Sequence, residues 1–328
     1  MAATTTTTTT LLLQYVGAAF LTYSAYKLLD QASFYLLPPA SLARYRRQGK
    51  GGGGASSCWA LITGASAGIG LGTAQELAAR GFSVVLLGHL RAELEAAATQ
   101  IKAESRNVDV RTVVLDAITA SPRDVEAALE SLSSLPIAVL VNNVGGIPIA
   151  QPTIRSLPEY TAADLDNTIN LNARFMAHVS RIMLPRLAEN GPALVLNLSS
   201  AARMGMPGVA PYSACKGFII SLTAAMAREM AAAGKQVDCL AIIPGDVQSQ
   251  SNNIAMAPGS PDSRQFAKAM LDRAPRAVSR GWLECKPWFA HALALGLLET
   301  LPGSIVLPLL TAEFDKKKVA VAKALKKE

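Results

Sequence analysis

The chain has 328 residues, half of them hydrophobic and 5% aromatic, with a formal net charge of +7. That length accommodates one large α/β domain plus an appendage. The positive charge gathers in Arg44, Arg46, Arg47 and Lys50, and in Lys316, Lys317, Lys318, Lys323, Lys326 and Lys327. Without interleaved aromatics it excludes a nucleic-acid surface, and it suits either an anionic membrane surface or solvated ends. Cys58, Cys215, Cys239 and Cys285 are scattered and His89, His178 and His291 lie far apart. That excludes a disulfide frame and a metal site, and points to a reducing compartment.

In chain order, residues 4–10 are a threonine tract with no capacity to form a core. Leu11 to Leu29 is apolar apart from Gln14 and Lys27, and these nineteen residues are just sufficient for one helical membrane span. A membrane anchor is therefore predicted, with an amphipathic surface helix or a cleaved segment as alternatives. Positive charge follows the run, which places the rest of the chain on the cytoplasmic side. Gly51 to Gly54 reads as a flexible linker, so residues 1–56 are an appendage to a catalytic domain over 57–328. From Cys58 onward, short runs rich in Val, Leu and Ile predict strands at 59–63, 83–88, 110–115, 137–142, 193–198 and 237–243. Helices are predicted between them at about 68–80, 91–105, 122–133, 163–189 and 211–233. This alternation argues for an α/β fold with a doubly wound parallel sheet, whose ligands bind at the carboxyl ends of the strands. Residues 296–310 are nearly uncharged and carry Pro302 and Pro308; they read as a core helix or as a membrane-dipping hairpin.

Two segments carry the chemistry. In Thr63-Gly64-Ala65-Ser66-Ala67-Gly68-Ile69-Gly70, the glycines permit a tight turn between strand and helix and a close approach of a pyrophosphate to the helix N-terminus. In Tyr212-Ser213-Ala214-Cys215-Lys216, phenol and ammonium stand four residues apart on one helical face. A cation there is expected to stabilise phenolate and lower the tyrosine pKa from about 10, at roughly 4 kcal/mol to reach neutrality. At the end of the second strand, Gly88 stands where a carboxylate would bind the ribose hydroxyls of NAD. His89 and Arg91 follow it and either face a 2′-phosphate, which favours NADP(H), or begin the next helix in solvent.

The glycine segment, Asn142-Asn143-Val144-Gly145 and Tyr212-x-x-x-Lys216, in this order and spacing over about residues 57–250, resemble the short-chain dehydrogenase/reductase family. The chain is most similar to its membrane-bound branch of 3-oxoacyl-CoA reductases and 17β-hydroxysteroid dehydrogenases. The resemblance implies a Rossmann-type fold, with Gly64, Ser66, Gly68, Ile69 and Gly70 around the cofactor. Asp116 would contact adenine, and Asn143 and Gly145 would shape the adenosine side. Pro244, Gly245, Val247 and Ser249 would receive nicotinamide and diphosphate, and Tyr212 and Lys216 would also touch the cofactor. It further implies a catalytic asparagine that bends its helix and holds a water, Asn172 in preference to Asn170. The catalytic serine is Ser199 by distance from Tyr212 and Ser200 by distance from the strand end; Ser200 is preferred.

By the same resemblance NADPH delivers hydride to a ketone carbon, and residues 250–282, rich in Met, Ala and Pro, are a mobile substrate lid. The function implied is reduction of a long-chain 3-oxoacyl-CoA. Alternatives are a hydroxysteroid dehydrogenase, a 3-ketosphinganine reductase, or a cofactor-binding sensor or scaffold in a membrane complex. A homodimer through the helices at 163–189 and 211–233 and residence in the endoplasmic reticulum membrane complete the expectations.

Overall fold

The structure, a computed structural model, describes residues 2–46, 58–250, 252–254 and 256–325. Arg47, Lys50, the Gly51–Gly54 linker, Lys326 and Lys327 lie outside the described residues. The chain divides into Met1–Pro39 and Ala40–Glu328.

The larger unit is organised by β1 (Trp59–Thr63), β2 (Ser83–Gly88), β3 (Val110–Val114), β4 (Ile137–Asn142), β5 (Ala193–Leu198), β6 (Val237–Ile242) and β7 (Glu284–Cys285). They form one seven-stranded sheet in the order β3-β2-β1-β4-β5-β6-β7, every pairing parallel. The chain runs outward from β1 to β3 and then crosses back to β4, so β1 and β4 flank the point where strand order reverses. Ligand crevices of open α/β sheets form there. Strands β1, β2, β4 and β5 are buried along their whole length, which explains their unbroken apolar runs.

Both faces are covered by α2 (Gly68–Ala79), α3 (Arg91–Glu104), α4 (Pro122–Glu130), α5 (Ala162–Ile169), α6 (Phe175–Asn190) and α7 (Ala210–Ala232). Capping boxes at Ser121 and Thr161 start α4 and α5 by satisfying free backbone amides. Between α5 and α6 the helix loosens into a π-turn over Asn170–Arg174.

The segment predicted as a mobile lid is mostly α8 (Ser263–Ser279), a fixed core helix. Phe266, Ala267, Met270, Leu271, Ala274 and Ala277 are fully buried. At Gly72 of α2 the two backbones approach so closely that a Cβ would lie 2.9 Å from the Arg264 Cα. Arg264 also bonds Glu76 and Glu104, and Arg80 bonds Asp272, which ties α2, α3 and α8 together. Past β7 the chain forms α9 (Phe289–Thr300), breaks at Leu301-Pro302, and continues as α10 (Gly303–Leu325). The apolar 296–310 stretch is therefore not a buried core helix. It spans the break, and Leu297, Ile305, Leu307 and Leu309 are exposed.

The smaller unit is α1 (Ala2–Leu36). Leu11, Leu12, Leu13, Tyr15, Val16, Phe20 and Leu21 are exposed along it. The predicted transmembrane anchor is corrected: no described helix is long and apolar enough to cross a membrane. Gln14, Thr22, Ser24 and Lys27 dilute the apolar run below what a span requires.

Candidate active site

Thr63, the last residue of β1, sets the first wall of the cleft. Its hydroxyl accepts hydrogen bonds from the backbone N–H groups of Asn143 (3.0 Å) and Val144 (3.1 Å), joining the ends of β1 and β4. Asn143 reaches back, its amide donating to the carbonyls of Thr63 (3.1 Å) and Gly64 (3.0 Å). It therefore braces the glycine turn from behind. Gly64 (φ +64°) and Gly68 (φ +57°) occupy the left-handed region that favours glycine. At Gly70 a Cβ would overlap the Gly64 carbonyl oxygen, so the turn closes on itself only as glycine. Helix α2 then begins at Gly68 without a side-chain cap, leaving its amide end turned to the crevice beside Ser66 and Ile69. Ser249, from the loop after β6, comes within 3.4 Å of where a Gly68 Cβ would be. A narrow cradle of backbone amides beside a hydroxyl fits the diphosphate of a nicotinamide dinucleotide.

The far end of that groove is less built. His89 is exposed, and Arg91 is exposed and pairs loosely with Glu95 at 3.9 Å. No carboxylate stands at the end of β2, where Gly88 packs against Leu94. Asp116 lies exposed after β3 and accepts a hydrogen bond from the Ile118 N–H at 2.9 Å.

The catalytic candidates converge at the mouths of β4 and β5. Asn172 lies in the π-turn and is fully buried. Its carbonyl oxygen accepts from the Gly146 N–H (2.9 Å), while its amide donates to the carbonyls of Gly146 (2.8 Å) and Thr168 (2.9 Å). Asn170 instead turns outward to accept from Arg174 at 2.7 Å. Lys216 is 3% exposed, and its ammonium donates to the Leu198 carbonyl at 3.0 Å. Gly145 is wedged between the two: a Cβ there would lie 2.8 Å from Lys216 Nζ and 2.9 Å from Asn172 Oδ1. Ser199 is buried, its hydroxyl donating to the Lys216 carbonyl at 2.7 Å, while Ser200 turns to the other face and hydrogen-bonds Tyr212. Alternation along an extended chain separates the two serines.

The expectation that a neighbouring ammonium acidifies Tyr212 is corrected. Burial pushes the phenol up, and the Ser200 hydrogen bond pulls it down in part. Lys216 stands 5.3 Å from the centre of the tyrosine ring, but its own pKa is depressed to about 8 by burial. The ammonium is turned to the Leu198 carbonyl, and the phenol's burial is offset by the Ser200 hydrogen bond and not by the lysine.

His291 of α9 was not a sequence candidate, because a lone histidine offers no ligand pattern. Its Nδ1 accepts from the Gly245 N–H (3.1 Å) and its Nε2 faces the Asp246 carbonyl (3.0 Å), which fixes the neutral Nε2–H tautomer. Burial lowers its pKa. The ring braces the Pro244-Gly245 turn, beyond which Val247 is buried. Among the described residues no group of acidic, histidine or cysteine side chains could hold a metal ion.

A family model described as short chain dehydrogenase matches residues 58–257. A very-long-chain 3-oxoacyl-CoA reductase of Scheffersomyces stipitis is 31% identical over 274 residues, 79% of this chain and 74% of that protein. One from Pyricularia oryzae is 26% identical over 295 residues, 88% of this chain and 83% of that protein. Among solved structures, a short-chain dehydrogenase from Sphingobium yanoikuyae in complex with NADPH superposes with a TM-score of 0.60 at 25% identity, over 75% of this chain and 96% of that one.

Proposed function

The chain belongs to the short-chain dehydrogenase family, and from that premise we propose that it is an NADPH-dependent ketoreductase acting on long-chain 3-oxoacyl-CoA. The observation that carries the reaction is the convergence of Tyr212, Ser200, Lys216 and Asn172 at the carboxyl ends of β4 and β5. The substrate class rests on the relatives named very-long-chain 3-oxoacyl-CoA reductase, one of which is aligned over 88% of this chain. NADPH is preferred over NADH because β2 ends without a carboxylate, with His89 and Arg91 open to a 2′-phosphate.

The bound nicotinamide supplies hydride, and the chain's own residues manage the oxygen and its proton. Ser200 donates a hydrogen bond to the ketone oxygen as negative charge develops. Tyr212, held protonated by burial, gives that oxygen its proton. Lys216 and Asn172, set side by side at Gly145, keep the tyrosine in place and lead its proton supply inward. Pro244, Gly245 and Val247 orient the nicotinamide ring, with the loop backbone fixed by His291.

Two associations accompany this reading. We place α1 on a membrane as an interfacial helix, since its leucines and tyrosines are exposed and Arg44 and Arg46 follow it. The cytoplasmic face of the endoplasmic reticulum suits the four scattered, buried cysteine thiols. Exposed Ile169 and Phe218, on the helices expected to pair, support a homodimer. The test is NADPH and NADH oxidation by the full chain against 3-oxoacyl-CoAs, ketosteroids and 3-ketosphinganine. Turnover of a ketosteroid alone, or activity with NADH alone, would overturn the assignment.

A further inference from the structure

Helix α10 lies across the loops that leave the carboxyl ends of β4, β5 and β6. Beside the β4 loop, Lys318 helps draw the Glu159 carboxyl below its ordinary range, after the larger pull of its hydrogen bonds from Ser156. Over the β5 loop, the Phe314 ring rests on Gly208 so closely that a Cβ there would overlap the ring edge at Cε2. At the β6 loop, Lys317 Nζ bonds Asp246 Oδ1 at 2.7 Å, next to the Gly245 that His291 holds. Gly208 is also a fixed point, since its carbonyl accepts from the Arg155 N–H (3.0 Å) and the Tyr160 hydroxyl (3.4 Å). The ring is therefore seated four residues before Tyr212, at the substrate end of the cleft.

The way α10 is held distinguishes it from α8. None of its described side chains is fully buried. Val306, Leu310, Phe314, Lys317 and Val321, spaced three or four apart, form one half-buried stripe with Glu313 and Ala320 at its edge, while the remainder of the helix faces outward. An element whose described anchors are a ring, the Lys317–Asp246 pair, the Lys318 charge near Glu159 and a narrow stripe opens at far lower cost than a core helix. The Leu301-Pro302 break separates it from α9, which stays attached through His291 and Leu295.

We propose that α10 is the cover of the substrate cleft, and that Phe314 is the specificity-determining residue that bounds a flexible apolar chain beside the reacting carbon. The Lys317–Asp246 pair is its latch. The inference rests on the ketoreductase reading above, in which the substrate carries such a chain.

The glycines supply a clean test. Gly208 (φ +74°) and Gly205 (φ +90°) both sit in left-handed backbone, so alanine strains both, but a Cβ at Gly205 meets nothing within 4 Å. In the full chain, Gly208→Ala and Phe314→Ala should each shift the ratio of kcat/KM for long over short 3-oxoacyl-CoAs at least tenfold, whereas Gly205→Ala keeps the wild-type ratio. Hydrogen exchange provides a readout independent of turnover. Amides of 303–325 should exchange at least tenfold faster in Gly208→Ala and Lys317→Met, with those of α8 unchanged. If wild-type protein reduces no 3-oxoacyl-CoA, the activity reading fails, and exchange alone decides whether α10 is a releasable cover. Unchanged chain-length preference in both Gly208→Ala and Phe314→Ala, or exchange of 303–325 insensitive to both Gly208→Ala and Lys317→Met, overturns the proposal.

Discussion

Replacing Lys216 with methionine should make the protein more stable and nearly inactive. The ammonium is 3% exposed and its pKa lies at about 8, against 10.5 in an unfolded chain. At about 1.4 kcal/mol per unit, holding this charge at pH 7 costs the fold about 3 kcal/mol. Methionine keeps the unbranched apolar stem, one atom shorter, and removes the charge. It also leaves the Leu198 carbonyl without its 3.0 Å donor, a loss of about 1–2 kcal/mol. The net expectation is a gain of about 1–2 kcal/mol, visible as a few degrees in Tm for a domain of this size. Turnover should fall by about 10²–10⁴, the usual contribution of a proton-handling group. The sign carries a second check. Between about 8 and 10.5, the unfolded lysine binds more protons than the folded one, so wild-type stability rises with pH across that window while Lys216→Met stays flat. Thermal unfolding of both proteins without cofactor, at pH 7 and pH 10, measures this directly. A variant less stable than wild type at pH 7, or a stability gap that ignores pH, would refute the account of a strained, desolvated ammonium.

Three further outcomes follow from the site. Ser200→Ala should lower kcat about 10²-fold, the scale of one lost oxyanion donor, while Ser199→Ala, which loses a buried bond to the Lys216 carbonyl, should cost about 1 kcal/mol of stability and leave kcat within a few-fold; steady-state kinetics beside denaturant melts separates them. Gly145→Ala drives a methyl to within 2.8 Å of Lys216 Nζ and 2.9 Å of Asn172 Oδ1; displacements of this order should lower kcat about 10²-fold and leave NADPH binding, read by nucleotide fluorescence, less affected. His291 must keep Nδ1 unprotonated to accept from Gly245, and its folded pKa is lowered. The unfolded chain therefore takes up the proton first, so stability and NADPH affinity should fall as pH drops below about 6.5. His291→Gln, which can still accept and donate, should flatten that decline in a pH series, and an unchanged acid limb would exclude the brace.

Most of the sheet was legible because a fully buried parallel strand must be an apolar run, and such runs are short and sharply bounded. The predicted strand at 110–115 ends one residue early, at Val114, on an edge where burial no longer enforces the pattern. Strand β7 escaped notice because Glu284 and Cys285 carry no periodicity at all. Helix α8 was misread from its composition, although Asp262 and Gln265 form a capping box and its buried positions recur every three or four residues. The glycine turn and Tyr212-x-x-x-Lys216 were visible as local chemistry. Spacing gave Ser199 counted from Tyr212 and Ser200 counted from the strand end, the preferred one; the directions of the two side chains past β5 separate them, Ser199 to the Lys216 carbonyl and Ser200 to Tyr212. His291, Phe314 and Lys317 act on loops that are 45, 106 and 71 residues away in sequence, and no local signal marks such closures.

The inverted tyrosine shift changes how the reaction is read. Spacing alone argued for an easily ionised phenol, the form that accepts a proton from an alcohol. The folded environment favours the opposite state, since burial raises Tyr212 while Lys216, depressed only to about 8, stays largely charged at pH 7. Both groups therefore hold their protons near neutrality, and that is the state a site needs before it donates one to a ketone oxygen. The hydrogen bond from Ser200 opposes the burial shift on the phenol, so the residue that would steady the developing oxyanion also eases release of the proton that quenches it. Coupling the two functions in one hydroxyl predicts that Ser200→Ala shifts the basic limb of the kcat pH profile upward as well as lowering its plateau. A variant that lowered the plateau without moving the limb would separate the roles and return the pKa control to the protein around the ring.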